Sequence, residues 1–300
     1  MDNILKEFEK YLDENYDADG EKNTIKAYYS DIKQFLNFFK VYYGEEIIDF
    51  TRAHITEYKQ NFLNKEEYKL TTINRKLASL SVYEDFLIDK GFRTKKEKII
   101  KKFDFYEMER AYITSDMLPK KTIKKIKLKA AELSKRDYAM LVLLDNGGLR
   151  VSELISLQLD RDIDFDMYSV KILGKGKKVR TIFMEESIYT AIKDYLPDRE
   201  KLLNGRENKY LFVSNKTANT NKPMNRTTVN KIIINYCNMV KENSIHPHIM
   251  RHDAATEKYE EGYTDIMLKK FLGHHSNITD VYAHPGGESY RRNNKNQGKM

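Results

Sequence analysis

Cysteine is almost absent: Cys237 is the only one in 300 residues. No intrachain disulfide can form, which fits a reducing cytosol. The apolar setting of that thiol in IIINYC suits a buried, inert side chain. Long apolar runs are missing too, and none approaches the roughly 20 residues that cross a bilayer. The opening stretch, MDNILKEFEKYLDEN, is acidic and amphipathic and lacks the basic-then-apolar layout of a signal peptide. A cytoplasmic location is the expectation. His246, His248, His274, His275 and His284 invite a zinc reading. No Cys or acidic cluster has metal-site spacing, however, and the adjacent His274 and His275 cannot both face one point on a regular helix. Neither a metal nor a cofactor is expected, and no internal repeat is evident.

What the chain has in quantity is positive charge. Charged residues make up 33% and apolar residues 40%, so a soluble globular protein is expected. The formal net charge is +8. Such a balance favours a polyanionic partner, because neutralising phosphates releases condensed counterions. The alternative is a solvated lysine surface. Clustering favours the polyanion. Segment 120–136 carries Lys120, Lys121, Lys124, Lys125, Lys127, Lys129, Lys135 and Arg136 against Glu132 alone. Segment 93–102 carries Arg93, Lys95, Lys96, Lys98, Lys101 and Lys102 against Glu97 alone.

The length suits two domains. Apolar residues at helical spacing predict helices over 3–14, 22–43, 51–64 and 71–89, with Thr51 as an N-cap and Gly91 just past the last end. Four short helices make a bundle over 1–92. A charged, weakly periodic stretch, 93–112, reads as a linker, and a second domain covers 113–300. There, a helix over 134–145 is broken by Asn146-Gly147-Gly148 and resumes from Arg150 to Leu157. The glycines allow a tight turn that carries Arg150 to a buried edge. A buried arginine needs anionic company, and Glu153, three residues on, is the internal candidate. Residues 168–173 and 178–184 are β-rich and joined by Gly174-Lys175-Gly176-Lys177, a hairpin whose lysines could simply guard an exposed edge. Helices are expected over 185–196, 226–241, 249–262 and 264–272, with a short extended piece at 211–214. The fold class is mainly α with a small β-sheet.

The stretch from His248 to Tyr282 organises the chain. It holds a His-x-x-Arg pair (His248, Arg251), a Leu-Gly-His turn ending at His274, and Tyr282 eight residues beyond. With Arg150 and Lys175 upstream, these form a phosphate-handling set that includes a nucleophile and has no carboxylate centre. Arg150, Lys175, His248, Arg251, His274 and Tyr282, in this order, resemble the catalytic set of the tyrosine recombinases. The words GLRVSEL, GKGKKVR, HPHIMRHDAAT and FLGHH match as well, and the likeness runs from about Met1 to about Tyr290. The family commonly spaces its tyrosine nine or so residues from that histidine; the spacing of eight here leaves Tyr290 as a second candidate.

The resemblance implies an N-terminal SAM-like, core-binding bundle that grips one face of DNA. It also implies a C-terminal mixed α/β catalytic domain of the DNA breaking-rejoining type. In it, Arg150 and Arg251 clamp the scissile phosphate with planar forks. Tyr282 attacks to give a 3′-phosphotyrosine, and His248 takes the proton or holds the phosphate. His274 donates to a non-bridging oxygen, and Lys175 protonates the leaving 5′-oxygen. The implied function is site-specific recombination: integration, excision or resolution. The implied partners are double-stranded DNA with inverted half-sites, further copies of this chain in a tetramer, and accessory DNA-bending proteins. The rival readings are a type IB-like topoisomerase and a catalytically idle DNA-binding protein.

Overall fold

The computed structural model describes residues 2–16, 22–94, 97–107, 119–174 and 178–273. The chain divides into two compact units, Met1–Glu109 and Arg110–Met300.

The first unit is built from α1 (Asp2–Tyr16), α2 (Lys22–Tyr43), α3 (Arg52–Tyr58) and α4 (Leu70–Asp89). Each turns its apolar stripe inward. Ile4, Leu5, Phe8 and Leu12 of α1 meet Ile32, Phe35 and Phe39 of α2 and Leu77, Tyr83 and Phe86 of α4 in one cluster. Thr51 caps α3 as expected: its hydroxyl accepts from the His54 amide at 3.4 Å, and His54 Nδ1 accepts from the Thr51 amide at 3.2 Å. The helix predicted over 51–64 divides, because a π-helical turn, Lys59–Leu63, replaces its second half.

Of the charged stretch 93–112, the described residues to Glu107 belong to this unit. Its charges are paired with the bundle's. Arg93 is buried between Glu84, at 2.5 Å, and Asp49. Glu84 also accepts from the amides of Ile99 and Ile100 at 2.6 and 3.0 Å. Asp104 takes a bidentate pair from Arg52, and Asn74 exchanges two hydrogen bonds with the backbone of Tyr106.

The second unit contains α5 (Lys120–Leu133), α6 (Lys135–Asp145), α7 (Val151–Ser156) and the single turn α8 (Leu159–Asp162). A three-stranded antiparallel sheet follows: β1 (Ile163–Asp164), β2 (Ser169–Leu173) and β3 (Val179–Phe183). Then come α9 (Glu186–Leu203), α10 (Arg226–Met239), α11 (Pro247–Glu260) and α12 (Asp265–Leu272). The central helix is α6, whose residues 139–145 are buried throughout. Helix α9 runs further than its predicted end, and 211–214 forms no strand; the neighbouring Tyr210 makes a lone bridge to Gln158. The basic segment 120–136 is not one solvated run. Ile123, Ile126 and Ala130 form the buried face of α5 and its lysines occupy the others. Among the described residues no helix is long and apolar enough to cross a membrane.

Two glycines shape the turn after α6. A Cβ on Gly147 would lie 2.7 Å from the Leu143 carbonyl oxygen. Gly148 has φ +59°, and a Cβ there would lie 2.9 Å from the Phe271 ring of α12. Larger residues would open the turn that delivers Arg150 to the start of α7.

Candidate active site

Arg150 ends that turn as the residue before α7, and one turn on Glu153 points back at it. Glu153 Oε2 accepts from the Arg150 amide at 2.7 Å, and Oε1 accepts from Arg150 Nη1 at 2.9 Å. The internal anion expected for Arg150 is therefore this carboxylate. Arg150 Nη1 also approaches the Leu272 carbonyl at 3.5 Å, and the side chain remains about one-third exposed.

Helix α11 supplies the His-x-x-Arg pair from its first turns, opened by Pro247 at its first position. Arg251 is 2% exposed. Its guanidinium donates to the carbonyls of Gly148 and Leu272, and its Nη1 stands 3.6 Å from Glu153 Oε2. Arg251 thus ties α11 to the glycine turn and to the end of α12. His248, three residues earlier, is exposed by area yet crowded by its neighbours. Desolvation first, then the positive charges of Arg251 and Arg150, hold its pKa below the usual histidine value. On the same helix His252 is half-buried, and its pKa is pushed down to about 4, first by desolvation and then by His248 and Arg251.

The hairpin closes another side of the site. Strand β2 pairs with β3 in the register Leu173↔Val179 to Ser169↔Phe183, and the Gly174 amide donates to the Lys178 carbonyl at 2.8 Å. Arg180 on β3 reaches Glu153 with both ends of its fork, Nη1 to Oε1 at 2.7 Å and Nη2 to Oε2 at 2.9 Å. Despite burial, this company holds the Glu153 carboxyl down at about 2, with Arg180 the main cause, then the Arg150 amide and Arg251. Sequence reasoning misses Arg180 as a site residue, although a signal exists. Arg180 and Ile182 share one face of β3 by the two-residue period, and Ile182 is buried. A cation on a core-facing row needs an acid.

The structure thus brings Arg150, Arg251 and His248 together, with Glu153 and Arg180 beneath them. Lys175, His274 and Tyr282 lie outside the described residues. Among the described residues no group of three or more His, Cys, Asp or Glu side chains could hold a metal.

A helical bundle thus precedes a mostly helical unit with a small antiparallel sheet, and that second unit carries two convergent arginines. Residues 116–288 match the phage integrase family, and residues 4–90 match its N-terminal SAM-like domain. The chain belongs to the phage integrase family. It is 31% identical over 288 residues to the TnP I resolvase of Bacillus thuringiensis, covering 94% of this chain and 95% of that one. It is 33% identical over 292 residues to a tyrosine recombinase of Pseudothermotoga lettingae, covering 95% and 94%. Its fold is similar to that of the XerH site-specific recombinase bound to difH substrate in a pre-cleavage complex. The TM-score there is 0.70 at 14% identity, over 97% of this chain and 94% of that one.

Proposed function

We propose that this chain, a site-specific DNA recombinase of the tyrosine class, cleaves DNA by attack of Tyr282 on a phosphate held between Arg150 and Arg251. The observation that carries the reading is the convergence of these two guanidiniums, from the residue that caps α7 and from α11, on Glu153. A phosphodiester gains negative charge on its non-bridging oxygens in the transition state, and positioned cationic donors meet that charge. The burial and neighbouring arginines that lower the pKa of His248 favour its neutral form. It can take the tyrosine proton or donate to the phosphate. His274 donates to a non-bridging oxygen, and Lys175 protonates the leaving 5′-oxygen. The phosphotyrosine link retains the bond energy, so strands rejoin without a cofactor. The relatives described above are named a resolvase and a tyrosine recombinase, which favours strand transfer over the topoisomerase and idle-binder readings.

In this reading residues 1–92 grip DNA, 113–300 carry the chemistry, and 93–112 connect them. The DNA presents inverted half-sites, four copies of the chain assemble on two synapsed sites, accessory DNA-bending proteins assist, and the event takes place in the cytoplasm. Incubation with a nicked suicide substrate tests the chemistry. The wild-type chain should accumulate a covalent adduct whose phosphotyrosine peptide maps to Tyr282. Tyr282→Phe should abolish the adduct and bind DNA almost as before, since only a hydroxyl is lost. A peptide mapped to Tyr290 would overturn the assignment of the nucleophile.

A further inference from the structure

We propose that Arg180 is a positioning residue for cleavage: it saturates Glu153 from the hairpin side, so that the carboxylate draws no further on Arg150, whose fork meets the scissile phosphate. The inference rests on the recombinase reading and adds to it a residue outside the six-residue set.

The geometry gives Glu153 more cationic company than one carboxylate can neutralise. Oε1 accepts from Arg150 at 2.9 Å and from Arg180 at 2.7 Å. Oε2 accepts from the Arg150 amide at 2.7 Å and from Arg180 at 2.9 Å, while Arg251 stands off at 3.6 Å. Arg180 meets Glu153 in parallel, two-pronged contact, the strongest arrangement for this pair. Its side chain is 9% exposed and both prongs of its fork are spent on Glu153. With Arg180 in place, three cations face one anion, a surplus of two positive charges. Without it, Glu153 has two open lone-pair positions in a buried setting. Arg150, already bonded to Oε1, is the nearest donor to fill them, and a phosphate would have to compete for its fork.

Placement gives Arg180 a second effect. A Cβ on Gly273, the residue before His274, would lie 3.0 Å from Arg180 Cδ and Nη1. A Cβ on Gly174, the residue before Lys175, would lie 3.8 Å from Glu153 Oε1. The Arg180–Glu153 pair therefore sits beside Gly174 and Gly273, as well as beneath the two arginines. A loose pair would shift both, and displacement on the order of 1 Å can cost about a hundredfold in rate.

The test is a double-mutant cycle on the full chain, with single-turnover cleavage of a suicide substrate at saturating protein and DNA affinity and thermal melting read in parallel. Arg180→Met should cleave at least about tenfold more slowly than wild type while binding DNA within about twofold. Glu153→Gln removes the charge that would capture Arg150. Added to Arg180→Met, it should bring the rate back to within about threefold of Glu153→Gln alone. A purely structural ion pair would show lowered melting with no such recovery. Wild-type cleavage by Arg180→Met, or defects that multiply in the double variant, would overturn the proposal. Should Arg180→Met fail to fold, Arg180→Lys, which keeps the charge and loses the fork, is carried through the same cycle with the same criteria. A wild-type chain that forms no covalent adduct would instead fail the recombinase reading, and this proposal with it.

Discussion

Asp253 follows Arg251 by two positions on α11, yet it faces away from the carboxylate centre of the site. Burial first, then the charges of Asp145 and Glu257, raise its pKa from 3.8 to about 6, and its Oδ1 is buried without a hydrogen-bond partner among the described residues. Between these two values the folded chain holds a proton that the unfolded chain has lost. Stability therefore falls as pH rises through that window and stays lower above it. Asp253→Asn removes the charge and keeps the shape. It should stabilise the chain on the order of 2 kcal/mol at pH 7.5, with the gain shrinking toward pH 4. Thermal melts at the two pH values measure this, and equal gains at both would contradict the assignment. Glu153 is the opposite case. Its carboxyl is held down at about 2, so its contribution is present above its ordinary value of 4.5 and is lost only as pH falls toward 2.

At the scale of one element, α5 shows why a lysine count is not a DNA footprint. Lys127 pairs with the buried Asp145, and Lys125 pairs with Glu242 at 2.6 Å. Lys121 and Lys124 lie on the exposed face. Lys127→Ala should therefore act on stability, costing about 2 kcal/mol. That is below the usual loss for a buried pair, because the lysine is a quarter exposed. Replacing Lys121 and Lys124 by Ala should leave melting unchanged. It should flatten the log–log salt dependence of DNA binding by about 0.9 for each phosphate that is no longer neutralised. Melting curves and salt titrations of both variants decide the matter; a reversed pattern would place the DNA-facing side of α5 elsewhere. The helix is hard to see in the sequence because its six lysines mask a narrow apolar stripe, whose spacing of Ile123, Ile126 and Ala130 is nevertheless helical. The hairpin is legible to within a residue at each end, since alternation and a glycine-rich turn are local signals. The break of α3 into a π-helical turn has no comparable mark in the sequence.

Across the whole molecule, a net charge of +8 makes free copies repel one another, and DNA removes that repulsion. The chain should sediment as a monomer alone at low salt and as four copies on DNA bearing two recombination sites. A tetramer without DNA would contradict this. The first unit also holds its own charges tightly: Arg93, Arg52 and Lys76 are spent on Glu84, Asp104 and Asp31. Fewer cations are therefore available to a phosphate than composition suggests.

Order and spacing in the sequence carried the family, the fold class, the helices with wide apolar faces and the residue types of a phosphate site, because all of these depend on local pattern. Only the tertiary structure decided which acid serves which base. Glu153 is three residues from Arg150 but 27 from Arg180 and 98 from Arg251, and no local period relates them. Their meeting depends on the turn at Gly147 and Gly148, on the register of β2 with β3, and on the seating of α11 against the end of α12. Each of these is a long-range packing result, fixed when the apolar core around α6 closes.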